Sequence, residues 1–526
     1  MSGAPLPGPA MHDGATVAVA ELLAGGWTPA WELCPVAEAI RLGAVVGRHA
    51  DGRLTAVTPS PGDDLLRRSI RLRVGAPLQW RAVDDDGLAA LLALGERDYE
   101  AMAGLEAAAA PAQDDELLDA ELSIQSLSGE RSQVVRLLDA TLYEALKARA
   151  SDLHLESTAQ GMSVRHRLDG VMLKVGEVAG REAAEQLVSR LKVIARLDIG
   201  ERRLPQDGRF KRRVGSGAEA RDVDFRVSIM PSSYGEDAVV RLLDRAKLAE
   251  DHTGLTLAKL GFEDDDADQI LALASRPYGM LLVTGPTGSG KTTTLYAVIA
   301  QTHDGSAKLI TIEDPVEYQL PGIVQIPVNE RKGLTFARGL RSVLRHDPDR
   351  IMVGEIRDTE TAQIASQAAL TGHLVLTTVH ANNAIDVVGR FMHMGLDLYN
   401  VMSSLNGVVA QRLLRKLCTQ CARRFEPTPA QLLQAGVAGV GAEGVFFAAV
   451  GCPACRGTGY RGRRAIAEIL MVDDVLRDMI VSRRPLMAVK AQAKSAGTRF
   501  LRDAALACVL RGETTLEERD RVTLAD

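Results

Sequence analysis

A glycine-rich loop between an apolar run and a helical segment constrains the fold of this chain more than any other feature. The apolar run Met280 to Val283 is typical of a buried strand, and Thr293 to Ala300 is typical of a helix. The sequence between them fits G-x-x-x-x-G-K-[ST], which cradles phosphates when it joins a strand to a helix. Its glycines let backbone N–H groups face the phosphates, and the helix adds its positive N-terminal end. The predicted nucleotide-binding residues are Gly285, Pro286, Thr287, Gly288, Ser289, Gly290, Lys291, Thr292 and Thr293.

Two residues of this loop have distinct predicted roles in binding ATP and Mg²⁺. Lys291 is expected to reach the β- and γ-phosphates, and the Thr292 hydroxyl is expected to ligate Mg²⁺. The loop identifies a nucleoside triphosphate as the ligand, but it does not say what work is done with it.

Length and charge limit the classes of protein to which the chain can belong. At 526 residues it should contain several domains, each with its own core. It has no run of about twenty apolar residues that could cross a membrane. Its first residues lack the basic and apolar regions of a secretory signal, so we expect a cytoplasmic protein. The net charge of −6 argues against a nucleic-acid partner.

The order of helical and strand-like segments predicts a multidomain α/β fold. Strands that alternate with helices around the phosphate loop favour a RecA-like domain, with a parallel sheet and flanking helices. Stretches rich in alanine, proline and acidic residues are predicted to be linkers. The predicted segments are a flexible N-terminus (1–25), a small α/β domain (26–105), a linker (106–133), a second α/β domain (134–248), a second linker (249–256), the RecA-like domain (257–412), a tetracysteine module (413–462) and a helical C-terminal region (463–526).

Two acids and one histidine follow apolar runs beyond the phosphate loop. Glu313 and Glu355 lie where ligands gather in open α/β sheets, and an ATPase needs a carboxylate that orients water. Each acid could instead be a solvated charge at a strand end. His380 follows the run Leu374–Val379 and is a candidate for sensing the γ-phosphate, with a purely structural role as the alternative.

Four cysteines form two C-x-x-C pairs, Cys418 with Cys421 and Cys452 with Cys455. In a reducing compartment this pattern indicates a metal site. Four thiolates suit tetrahedral Zn²⁺, and a closed set of four ligands is structural rather than catalytic. The stretch between the pairs is longer than in a usual zinc ribbon, which weakens the pattern. Unligated cysteines or a catalytic dithiol are the alternatives.

Many ordered motifs together resemble the secretion-superfamily ATPases that drive bacterial type II secretion and type IV pilus assembly. The resemblance covers roughly residues 134–526. Retraction-type motors of this superfamily typically lack both an extra N-terminal domain and the tetracysteine, so this chain is similar to the extension and secretion branch. Besides the phosphate loop and the cysteines, the matching stretches are 150–154, 205–209, 225–228, 313–317, 344–349, 354–358, 371–373 with His380, and 514–518.

The resemblance implies a homo-hexameric cytoplasmic motor that uses ATP and Mg²⁺ and carries Zn²⁺. Such a motor is peripheral at the inner membrane, where its N-terminal domains dock on inner-membrane proteins, and its second domain is PAS-like. By motif match, Glu313 falls on the Asp box and Glu355 on the Walker B acid. Of the two, Glu313 is favoured as the water-orienting residue, with Glu355 as the alternative. His380 falls on the His box, and Arg209 and Arg226 match arginines of the preceding domain that approach the γ-phosphate.

The resemblance leaves the pathway open between two related functions. Type II secretion and assembly of type IV pili share these motifs. Type II secretion is therefore favoured only slightly. A nucleic-acid-translocating RecA-like ATPase is a further alternative, but the acidic net charge and the lack of interleaved aromatic and basic residues count against it. A P-loop kinase would need a second substrate site, which is not recognisable in the sequence. The His box also departs from the family pattern, since Ala381 follows His380 where threonine is usual.

Overall fold

The computed structural model describes residues 17–98, 133–215, 220–244, 254–434, 437 and 445–523. The chain divides into two compact units, Met1–Ala246 and Lys247–Asp526. Most residues of the predicted flexible N-terminus and of the two predicted linkers lie outside the described residues. Among the described residues, no helix is long and apolar enough to cross a membrane.

The helices and strands are numbered here in chain order. The helices are α1 (Val19–Ala24), α2 (Val36–Leu42), α3 (Asp64–Val74), α4 (Asp85–Asp98), α5 (Gln133–Lys147), α6 (Arg181–Ile194), α7 (Leu257–Leu260), α8 (Asp264–Ala274), α9 (Lys291–Thr302), α10 (Phe336–Val343), α11 (Thr359–Leu370), α12 (Asp386–His393), α13 (Leu398–Ser404), α14 (Pro429–Gln434), α15 (Asp474–Val481), α16 (Leu486–Ser495), α17 (Leu501–Leu510) and α18 (Leu516–Val522). The strands are β1 (Thr28–Pro29), β2 (Val45–Arg48), β3 (Leu54–Thr58), β4 (Leu78–Ala82), β5 (Asp152–Thr158), β6 (Gly161–Leu168), β7 (Val171–Ala179), β8 (Gln206–Val214), β9 (Arg221–Ser232), β10 (Gly235–Leu243), β11 (Gly279–Thr284), β12 (Leu309–Glu313), β13 (Val324–Pro327), β14 (Arg350–Val353), β15 (Leu374–Val379), β16 (Leu405–Leu417), β17 (Ala422–Arg424), β18 (Phe447–Ala449) and β19 (Tyr460–Met471).

The first sheet contains four strands in the order β1-β2-β3-β4, with β3 and β4 parallel. Its core includes Trp27, Leu66 and Ile70, the last two one helical turn apart on α3. The prediction of a flexible segment up to residue 25 is wrong for α1, because buried Leu22 joins this core and fixes the helix.

The second sheet contains six antiparallel strands in the order β7-β6-β5-β10-β9-β8. Helices α5 and α6 supply buried Leu142 and Leu191 to the same core as Phe225 and Val227 of β9. Because side chains alternate along a strand, Arg226 between these two core residues points to the opposite face. The sheet therefore has one apolar face and one face that carries charged side chains.

The third sheet contains the phosphate loop and has seven strands in the order β13-β12-β14-β15-β11-β16-β19. All pairs are parallel except that of β16 with β19. Residues of β11 alternate between two cores, Met280 and Leu282 in one, Leu281 and Val283 in the other. Helices therefore cover both faces, as continuous apolar strands require. The predicted α/β fold with a parallel-sheet P-loop domain is confirmed.

The third sheet extends past the predicted end of its domain at residue 412. Strand β16 continues to Leu417, and β19 pairs with it along almost its whole length. The prediction of a helical C-terminal region from residue 463 is therefore wrong up to Met471. Its helices begin at Asp474. The physical reason is the stretch 465–470, apolar except for Glu468, which is buried as an edge strand against β16.

Candidate nucleotide site and tetracysteine cluster

The phosphate loop connects β11 to α9 through backbone conformations that favour glycine. Gly285, Gly288 and Gly290 have φ angles of 149°, 78° and 84°. A Cβ atom added to Gly285 would lie 2.5 Å from the carbonyl oxygen of Gln411 and 2.7 Å from the Ser289 Oγ. A side chain at position 285 would therefore distort the loop. This geometry leaves backbone N–H groups at the start of α9 available to an anion.

Lys291 is the first residue of α9 and lies over the loop. Its Nζ donates hydrogen bonds to the carbonyl oxygens of Gly285, at 3.0 Å, and Pro286, at 3.1 Å. Burial lowers the pKa of Lys291, while the nearby charge of Glu355 acts in the opposite direction. The structure thus brings the predicted phosphate-binding lysine close to one of the two predicted acids.

Glu355 lies just past β14 in a cluster of charged groups. Its side chain is 19% exposed and accepts a hydrogen bond from Arg357, which raises the pKa of that arginine. Its second carboxylate oxygen is 3.4 Å from the Nε2 of His380, whose side chain is 46% exposed. Arg357 also lies 3.7 Å from Asp314. Glu355, His380 and Lys291 therefore lie at the same edge of the sheet.

Glu313 has very different surroundings. It is the last residue of β12 and is only 2% exposed. Its carboxylate accepts hydrogen bonds from the Tyr296 and Thr311 hydroxyls and from the Gln325 Nε2, the last at 3.2 Å. The two predicted acids look alike in sequence but differ in the structure. Glu313 is a buried, hydrogen-bonded carboxylate, whereas Glu355 is partly exposed.

Gln411 holds the phosphate loop from the neighbouring strand β16, and sequence reasoning missed it. It is 1% exposed, donates to the Ser289 carbonyl oxygen at 2.7 Å and accepts from the Thr294 hydroxyl at 2.8 Å. The next residue, Arg412, donates to the Asn382 carbonyl oxygen at 2.6 Å, and burial lowers its pKa. The available signal was this pair of polar residues between the apolar stretches 408–410 and 413–414 of the same strand.

The segment after His380 is attached to the phosphate-loop strand by Thr284. The Thr284 hydroxyl donates to the Val379 carbonyl oxygen at 3.0 Å and accepts from the Ala381 N–H at 2.9 Å. The backbone of Ala381 therefore makes the contact, and no hydroxyl at position 381 is needed for it.

Arg209 and Arg226 belong to the other unit. They lie directly opposite each other on β8 and β9, so both side chains are on the sheet face away from α5 and α6. Arg226 is half-buried and Arg209 is exposed. Within the described part of the chain, neither guanidinium group makes a hydrogen bond or an ion pair. The side chain of Arg241, on the neighbouring strand β10, instead contacts Asp152 at 2.9 Å.

The four predicted metal ligands form one cluster. Their Sγ atoms all lie within 4.8 Å of one another, and three pairs are 3.7 to 3.8 Å apart. Tetrahedral Zn²⁺ with Zn–S bonds of about 2.3 Å requires S–S separations of about 3.8 Å. The Cys455 sulfur also accepts the backbone N–H groups of Cys452 and Gly459, both at 3.1 Å. The donor set therefore fits a structural Zn²⁺ ion.

Comparison with known proteins extends these observations to most of the chain. The family described as "Type II/IV secretion system protein" matches residues 128–521. Type II secretion system protein E of Xanthomonas campestris pv. campestris is 40% identical over 504 residues, which cover 94% of this chain and 83% of that protein. Type II secretion system ATPase E of Vibrio cholerae is 45% identical over 413 residues, 78% of each chain.

Among solved structures, the Legionella pneumophila ATPase DotB aligns with a TM-score of 0.52. The alignment covers 73% of this chain and 94% of that chain, at 20% identity. A likeness at this identity concerns the fold alone.

Proposed function

The chain belongs to the type II/IV secretion system protein family, and from this membership we propose that it hydrolyses ATP to drive protein export through a type II secretion system. The observation that carries the proposal is the phosphate loop with Lys291, Glu355 and His380 gathered at one sheet edge. Type IV pilus assembly is the alternative within the family. The names of the two relatives described above favour secretion.

The chemistry that we propose follows from these positions. Lys291 and the N–H groups of the loop bind the phosphates of ATP, and the Thr292 hydroxyl ligates Mg²⁺. Mg²⁺ neutralises charge that develops on the phosphates. Glu313 orients the attacking water and Glu355 acts as the Walker B acid. His380 beside Glu355 reports the γ-phosphate to the segment that follows it, which Thr284 and Arg412 hold.

The four cysteines hold Zn²⁺ as a structural clip between β16 and β19. Cys418 follows the end of β16, and the pair Cys452 and Cys455 precedes β19. The sulfur separations support this role, because they match tetrahedral coordination. A closed set of four ligands leaves no position for a substrate.

The assembly that we propose is a homo-hexamer in the cytoplasm, attached to the inner membrane through partner proteins. A surface of the first domain supports docking there. Helix α3 buries Leu66 and Ile70 and presents Leu65 and Leu72, which are 78% and 77% exposed, with Arg68 on the same helical face. Exposed leucines on one face are typical of a contact surface.

The proposed function can be tested by deleting the gene and restoring it as wild type or as Lys291→Ala. Wild type should restore exported protein in the medium, and Lys291→Ala should not. Purified Lys291→Ala should hydrolyse ATP about a hundredfold or more slowly, because the phosphates lose their positive partner. Lys494→Ala, on an exposed position of α16, is the matched control and should behave as wild type.

The same strains separate the alternatives. Loss of surface pili with normal export would assign the chain to pilus assembly. Wild-type hydrolysis by Lys291→Ala would refute the nucleotide site. Hydrolysis that rises with single-stranded DNA, and not with membranes that carry an export partner, would favour the nucleic-acid motor.

A further inference from the structure

Three hydrogen-bond donors, one from a helix and two from strands, hold the carboxylate of Glu313. Tyr296 comes from α9, Thr311 from β12 itself and Gln325 from β13. Gln325 is fixed in turn, because its Oε1 accepts from the Leu320 N–H at 2.8 Å and its Nε2 also donates to the Tyr318 carbonyl oxygen at 3.2 Å. The carboxylate therefore has little freedom to rotate.

Tyr296 is the donor that connects Glu313 to the phosphate-loop helix. It is fully buried, and its ring packs edge to face against Tyr318 with centroids 4.7 Å apart. Burial and the hydrogen bond to Glu313 raise the pKa of Tyr296 far above its ordinary value. The phenol therefore keeps its proton at neutral pH and acts as the donor.

Tyr296 lies on the same face of α9 as Thr292, so it can link Glu313 to the phosphate loop. It follows Thr292 by four residues on α9, and residues at this spacing share one helical face, about 5 to 6 Å apart. The residue proposed to ligate Mg²⁺ and the residue bound to Glu313 are thus one helical turn apart. A shift of α9 would move both together.

We infer that Tyr296 is a positioning residue for Glu313, fixing its carboxylate relative to the phosphate loop for the hydrolysis step. The inference rests on the proposed function, in which Glu313 orients the attacking water. A hydrogen bond to an ionised carboxylate is roughly twice as strong as one between neutral groups. A group that orients water must be held by such supporting contacts, since small misplacements are costly to the rate.

The test is Tyr296→Phe in the full chain, which removes only the hydroxyl and keeps the ring against Tyr318. We expect kcat to fall about tenfold or more while KM for ATP changes less than about twofold.

Two further variants make the result decisive. Tyr278→Phe, at a tyrosine that is more than half exposed just before β11, is the matched control and should leave kcat and KM unchanged. In the double variant Tyr296→Phe with Glu313→Gln, the two losses should not add, because one residue acts through the other.

Three outcomes overturn the inference, and one of them also overturns its premise. If Glu313→Gln is slow but Tyr296→Phe has wild-type kcat, the inference fails and the proposed function stands. A faster Tyr296→Phe would mean that the phenol restrains Glu313 rather than positions it. If Glu313→Gln hydrolyses ATP at the wild-type rate, the role proposed for Glu313 fails, and the role of Tyr296 with it.

Discussion

At the scale of single residues, the two acids should respond differently to loss of charge. Glu313→Gln should keep ATP binding and reduce hydrolysis by about 10²- to 10⁴-fold, if Glu313 assists proton transfer from water. Glu355→Gln should instead weaken binding of Mg²⁺-ATP, since Glu355 lies beside Lys291, Arg357 and His380. Nucleotide titration and single-turnover hydrolysis on both variants measure the difference.

A matched control and a clear contrary outcome accompany this pair. Glu360→Gln changes an exposed acid of α11 and should leave both binding and hydrolysis unchanged. If Glu355→Gln alone binds ATP normally but fails to hydrolyse it, the roles of the two acids must be exchanged.

At the scale of helices, strands and the metal cluster, the tetracysteine makes a prediction of its own. Protein purified without chelator should contain one Zn²⁺ per chain, measured by elemental analysis. Cys418→Ser should lose the metal and speed amide hydrogen exchange in residues 411–462 by about tenfold or more, because structural zinc contributes folding free energy directly. Nucleotide affinity should change far less.

Cys508→Ser is the control for removing a buried thiol, because Cys508 lies outside the cluster. It should retain zinc. Metal-free wild-type protein would contradict the zinc assignment. Loss of nucleotide affinity in Cys418→Ser with intact exchange protection would place the effect of the cysteines at the nucleotide site instead.

Local patterns explain which parts of the fold and site could be predicted from the sequence. The phosphate loop and its strand could be, because strand, glycines and helix follow one another directly. The contact of Gln411 with Ser289 could not, since the two residues are 122 positions apart. For the same reason the sequence predicts a helical region where β19 lies, since the burial of this strand depends on pairing with β16. Glu313 and Glu355 look alike in sequence, and residues from other segments distinguish them, such as Tyr296 beside Glu313 and His380 beside Glu355.

At the scale of the whole molecule, we propose that arginines of the first unit assist hydrolysis in the second. An ATPase gains much of its rate from a cation that stabilises charge on the transferred phosphoryl group, and another domain or subunit can supply it. Arg209 and Arg226 suit this role, since they share one sheet face and have no partner within the described residues.

Arg226→Ala should therefore reduce kcat by about 10³-fold while ATP binding and folding survive, because the variant removes a cation needed mainly in the transition state. Arg181→Ala, at the exposed start of α6, is the control and should match wild type. Mixing Arg226→Ala with Lys291→Ala chains tests the geometry. If the arginine acts across subunits, an intact phosphate loop on one chain meets an intact arginine on its neighbour, and mixed assemblies regain activity. If it acts within one chain, mixing restores nothing. Full activity of pure Arg226→Ala assemblies would refute the role of the arginine in either arrangement.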